Sequence, residues 1–143
     1  MTSTLSIVPD QKLEQRISVP VAPTAFAFLN HMRFVALRCR VKPRTELFEA
    51  CALLDLGQAA SRDAHAEALM RCWGEALGQT ARFYAPGVRD FTFDERWLMQ
   101  LGQAHCRGDN DSLRFLLSSR VIHRNRRLVG FLVGGVAECF DLK

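Results

Sequence analysis

The strongest pattern in the chain starts at Thr24. Ala25, Phe28, Leu29, Met32, Val35, Ala36 and Cys39 recur every three or four residues, which is one apolar face of a helix. Asn30, His31, Arg33 and Arg38 fall on the other side, and the helix should stop before Pro43. Pro43 suits the first turn of a second helix. Leu47, Cys51 and Leu54 form its stripe with Phe48 beside them, and Gly57 ends it. Ser61 can cap a third helix that turns His65, Ala68, Leu69, Cys72, Trp73, Ala76 and Leu77 inward. Glu67, Arg71 and Glu75 form a solvated ion-pair row on its other side.

Tyr84-Ala85-Pro86-Gly87 breaks the pattern as a turn. Thr92-x-x-Glu95 then reads as a capping box. It opens a helix that buries Trp97, Leu98, Leu101 and Ala104 and ends at Arg107-Gly108. Asp109 to Ser112 supply caps for a short helix carrying Leu113, Leu116 and Leu117. A last helix is predicted from about Arg124 to Phe140. Beyond Leu128 it is apolar all round, as a central buried helix is. Its Gly130, Gly134 and Gly135 should let a neighbouring backbone come close.

No run alternates as a strand would, and no repeat is visible. The expectation is an all-α, compact single domain of five or six helices with a buried C-terminal helix and an extended N-terminal arm. Residues 1–23 form the extended or disordered arm, with Pro20 and Pro23 restricting it. Residues 24–143 form the helical domain.

Composition narrows the class without naming a function. At 143 residues, with 48% hydrophobic and 24% charged positions, the chain can bury a core of its own. The five cysteines are odd in number and widely spaced, without a C-x-x-C. That argues against a secreted disulfide framework and for a reduced, cytoplasmic setting. No charged segment followed by an apolar run opens the chain as a secretory signal would. The longest apolar stretch, residues 128–140, is too short to span a bilayer, so no membrane association is expected.

Catalytic signatures are weak. There is no Gly-x-Ser-x-Gly elbow and no glycine-rich phosphate loop. His65 with Cys72 and His105 with Cys106 do not make the close ligand pairs that zinc needs. The expectation is no enzyme activity, no metal and no cofactor. A weaker reading places a helical enzyme or ligand pocket around His65, His105 and Trp97.

Charge changes the picture most. The total is +4, and of 19 cations only Lys12, Lys42 and Lys143 are lysines. The bland reading of that arginine excess is codon usage in a GC-rich genome, which leaves its placement open. Residues 33–44 carry Arg33, Arg38, Arg40, Lys42 and Arg44 without an acid. Residues 112–137 carry Arg114, Arg120, Arg124, Arg126 and Arg127, again without one. Between them, residues 45–80 hold six acids against two bases.

Arg124, Arg126 and Arg127 fall at a helix start, where the dipole disfavours cations unless an anion is present. Arg124 and Asn125 sit at the tip of a helix-turn-helix-like outline, and both side chains can read base edges. The bland alternative is that arginines pair with acids at helix starts, namely Asp94, Glu95, Asp109 or Asp111. Phe26 and Phe34, eight apart, mark a second apolar side of the first helix. That side is either buried or a docking or dimer face.

These features favour a small non-enzymatic regulatory or adaptor protein, acting through a protein partner or self-association. Its contact residues are Arg124, Asn125, Arg126, Arg127, Arg38 and Arg40, with Phe26 and Phe34 as an interaction face. The competing reading is a nucleic-acid-binding regulator that places the same arginines on phosphates.

Overall fold

The structure is a computed structural model that describes residues 21–44, 46–49, 51 and 62–142. The predicted arm therefore lies outside the described residues up to position 20, as do Leu54, Gly57 and Ser61. Every regular element among the described residues is helical.

Helix α1 spans Pro23–Arg38 and continues as a 3-10 turn, Cys39–Val41. Pro23 lies in its first turn, where the missing N–H costs nothing. The helix thus begins inside the predicted arm. It gives up its α geometry four residues before Pro43, earlier than the proline alone requires. Residues 47–49 and 51 are helical, and Leu47 and Cys51 are buried as their spacing predicts. Helix α2 is Arg62–Leu77, α3 is Phe93–Arg107, α4 is Asn110–Arg120 and α5 is Arg126–Ala137.

The ends of α3 follow the predicted chemistry. Thr92 accepts from the Glu95 amide, and Glu95 accepts from the Thr92 amide. Gly108 closes the helix in the left-handed conformation, φ 69°. Asp109 then caps α4 through the Ser112 amide and hydroxyl. The Ser112 hydrogen bonds hold the Asp109 carboxyl below its usual range.

Helix α5 is the centre of the fold, with its main packing against α2 and α3. Val129, Leu132, Val133, Val136 and Ala137 are buried, opposite Leu69, Cys72 and Trp73 of α2 and Leu98 and Leu101 of α3, which are buried in the same core. It is shorter than predicted. His123–Asn125 form a separate 3-10 turn before it, and Phe140 lies beyond its end. Its glycines admit side chains rather than a backbone. A β-carbon at Gly134 would fall 2.6 Å from the His105 ring, and one at Gly135 would collide with the His65 ring. The imidazoles occupy the notches that the missing side chains leave.

Two cysteines on predicted apolar stripes, Cys39 on the first helix and Cys139 on the last, are not fully buried. Cys139 is exposed and Cys39 half-buried, because both stand where the α geometry of their helices has ended. Cys72 is fully buried, which pushes its thiol up to about 12 with help from Cys51 and Glu75.

A buried ion pair ties the loop between α2 and α3 to the helices. Arg33 of α1 meets Glu95 of α3 at 2.9 Å with both side chains fully buried. Its remaining donors go to Val88 O, Asp90 O and Asn30 Oδ1. Glu95 also accepts from the Tyr84 and Thr92 amides. The turn at Gly87, φ 90°, is fastened to Asn30 as well. An arginine read as part of a surface cluster is thus the polar centre of the fold.

Candidate functional site

Both arginine clusters are partly consumed inside the molecule. Besides Arg33, Arg120 lies 2.7 Å from Asp94 with its side chain nearly enclosed, stacked over Phe93 and Trp97. Arg114 pairs with Asp111 on the surface. Asp94, Glu95 and Asp111 are three of the four acids that the sequence offered as partners. The acids of α3 thus neutralise arginines from segments far away in the chain.

The predicted contact residues separate. Arg124 and Arg127 are exposed, with no acidic partner among the described residues. Arg126 is half-buried and spends its Nε on Val121 O at 2.8 Å. Asn125 is buried, so it is not presented beside Arg124. Arg38 and Arg40 are exposed at the end of α1 and in its 3-10 turn.

Phe26 and Phe34 also part company. Phe26 packs edge-on against Phe91, with the Arg89 guanidinium 4.2 Å from its ring centre. Phe34 is 54% exposed. His65, His105 and Trp97 each have a contact of their own. His65 packs on Phe131, His105 meets Glu138 at 2.8 Å, and Trp97 donates to Leu116 O. Among the described residues no group of three or more His, Cys, Asp or Glu could hold a metal ion.

What the fold assembles instead is a groove of about 760 Å³ between the end of α1, the middle of α2 and the segment 80–85. Its lining contains Arg33, Arg40, Lys42, Arg44, Arg71 and Arg82, and no acid among the described residues. Three of the six are spoken for. Glu95 neutralises Arg33, while Glu67 sits between Lys42 at 3.0 Å and Arg71 at 3.3 Å. The Lys42 hydrogen bond, with the Arg71 contacts, holds the Glu67 carboxyl below its ordinary value. Arg40, Arg44 and Arg82 have no acidic partner among the described residues. The Arg44 guanidinium lies over Gly74 of α2, 3.3 Å from where a β-carbon would stand. Any side chain there would crowd it.

The rest of the lining is mostly apolar and aromatic, with Ala36, Leu37, Met70, Trp73, Phe83 and Tyr84, and includes the polar Thr80 and Thr92. Trp73 is fully buried, set edge-on to Phe83 at 5.8 Å and to Trp97 at 6.0 Å. Its indole N–H has no hydrogen-bond partner among the described residues. Leaving a buried donor unmet costs about 1–3 kcal/mol. The Cys39 thiol also borders the groove, and burial, then the Glu67 charge, pushes it up.

Sequence reasoning found Arg40 and missed the groove. Arg82 stands in a loop with no cluster around it, and Arg44 was only one residue of a run. Their meeting depends on how α1 and α2 cross, which no local pattern records. Comparison of the chain with protein-family models, with curated proteins and with solved structures found no match. No described helix is long and apolar enough to cross a membrane.

Proposed function

We propose that this protein is a non-enzymatic regulatory or adaptor module of the cytoplasm that docks an acidic segment of a partner protein in the basic groove. One observation carries the reading. Arg40, Arg44 and Arg82 line an apolar, aromatic groove with no acidic partner among the described residues. Uncompensated cations beside concave apolar surface suit a ligand with carboxylates and apolar side chains in alternation.

The neighbouring surface supports a protein partner over a polyanion. Phe34, Leu37 and Val41 are exposed at helical spacing along the end of α1, next to the groove. Exposed apolar side chains in one stripe favour protein contact. The five cysteines are free, which suits a reducing compartment. A second reading, nucleic-acid binding, draws on Arg124 and Arg127, exposed and with no acidic partner among the described residues.

Fluorescence anisotropy separates the two. The probes are a labelled peptide of alternating Glu and Val with a central Phe, a DNA duplex and an RNA hairpin, each over a salt series. Docking in the groove predicts that the peptide binds. The double variant Arg40→Glu/Arg44→Glu should abolish this binding, and Arg124→Glu/Arg127→Glu should leave it unchanged. If only nucleic acid binds, with a steep salt slope that Arg124→Glu/Arg127→Glu flattens, the second reading replaces the first.

A further inference from the structure

The wall of the groove formed by residues 80–85 lies outside any helix and alternates as an extended chain does. Its burial alternates, with Thr80, Arg82 and Tyr84 exposed and Ala81 and Phe83 half-buried. That is the period of two of an extended chain. Its main-chain hydrogen bonds alternate in the same register. The Arg82 amide donates to Asp94 at 2.8 Å and the Tyr84 amide to Glu95 at 2.8 Å. The Arg82 carbonyl accepts from the Thr92 hydroxyl at 2.7 Å. Side chains at the start of α3 therefore satisfy one edge of the segment.

The other edge is unpaired among the described residues. In an extended chain successive residues direct their N–H and C=O groups to opposite sides. With Arg82 and Tyr84 turned to α3, those of Ala81 and Phe83 point away from it. Neither residue has a main-chain hydrogen-bond partner among the described residues, and both line the groove.

We infer that the acidic segment of the partner binds in extended form, as a strand added along Ala81 and Phe83. The inference rests on the groove being the docking site, and it specifies how the site is used. A helix laid in the groove would strip water from the free main-chain groups of Ala81 and Phe83 and give nothing back. Each group so stranded costs about 1–3 kcal/mol. An added strand satisfies them and presents alternate side chains to two sides. One set then meets Phe83 and the apolar lining. The other meets Arg82 on the strand itself and Arg40 and Arg44 across the groove.

The test modifies the peptide, so the protein stays intact. The same Glu/Val peptide is made as a series, each member N-methylated at one residue. Strand addition predicts that methylation weakens binding about tenfold or more at the two residues, two apart, that face Ala81 and Phe83 and changes it little between them, since one hydrogen bond of this kind is worth about a factor of ten. Hydrogen exchange by NMR should show the Phe83 amide newly protected in the complex. The Arg82 and Tyr84 amides, already bonded to α3, should keep their protection. Peptide binding that Arg40→Glu/Arg44→Glu abolishes, but without alternation and without Phe83 protection, overturns the strand mode and leaves the groove standing. No saturable binding at about 1 mM peptide in low salt overturns both.

Discussion

Replacing Glu95 by Gln should destabilise this protein far more than the loss of one surface charge would. The Glu95 carboxylate is fully buried and accepts four hydrogen bonds. Oε1 takes the Thr92 amide and Arg33 Nη2, and Oε2 takes the Tyr84 amide and Arg33 Nε. Glutamine has one oxygen and one NH2 in those places. Whichever way the amide turns, its NH2 faces two donors. Two hydrogen bonds are lost, and the buried Arg33 keeps its charge without a counter-ion. Breaking a buried pair from one side costs about 3–5 kcal/mol, a large share of the roughly 5–15 kcal/mol that holds a domain folded.

Urea unfolding followed by tryptophan fluorescence measures the change as a lower midpoint at constant slope. The variant Arg33→Met should cost a similar amount, because it strands the carboxylate instead. The double variant Arg33→Met/Glu95→Gln should cost clearly less than the two singles together, with a coupling of about 2 kcal/mol or more. A Glu95→Gln protein within about 1 kcal/mol of the parent would refute the argument, since exposed ion pairs contribute no more than that.

Other expected outcomes follow from the same geometry. Gly135→Ala should destabilise by about 1–3 kcal/mol despite better helix propensity, because the β-carbon meets the buried His65 ring. Thermal unfolding checks this. Thr92→Ala should cost about 1–2 kcal/mol by the same assay, since it removes the cap of α3 and the donor to Arg82 O. In a thiol-labelling time course Cys139 should react first, while Cys72 should wait for unfolding, being buried with its thiol pushed up to about 12. The carboxyl of Glu67 is held below its ordinary value in the folded state, so its contribution is present above about pH 4.5 and lost as pH falls through the folded value. Urea midpoints across acid pH should therefore fall less steeply for Glu67→Gln than for the parent.

The helices were legible because their signals are local. Thr92 and Glu95 lie three apart and cap each other, and Gly108 takes the left-handed conformation that few other residues tolerate. The stripe of α5 could be read as buried because no polar residue interrupts it between Leu128 and Ala137. Cys39 and Cys139 defeated the same reasoning. Periodicity extrapolates a helix past the point where the backbone leaves α geometry, and both residues stand just past such a point. The glycines of α5 were read as room for a backbone, yet only the tertiary structure shows that imidazole rings fill that room.

Charge was legible as a pattern and not as a site, for a physical reason. Counting acids within a segment assumes that partners are neighbours in the chain. Arg33 and Glu95 are 62 residues apart, and Arg120 at the end of α4 meets Asp94 at the start of α3. An acid-free segment therefore does not imply an unneutralised surface. What distinguishes Arg40, Arg44 and Arg82 is that folding brings them to one groove, where none has an acidic partner among the described residues. The pair that fixes the loop also determines that outcome. By holding Tyr84 and Thr92, Glu95 fastens one edge of residues 80–85 to α3 and leaves the other edge to the groove. In the strand mode Glu95 is the residue that holds the docking edge in place. Variants that loosen it should then weaken peptide binding even where the protein remains folded.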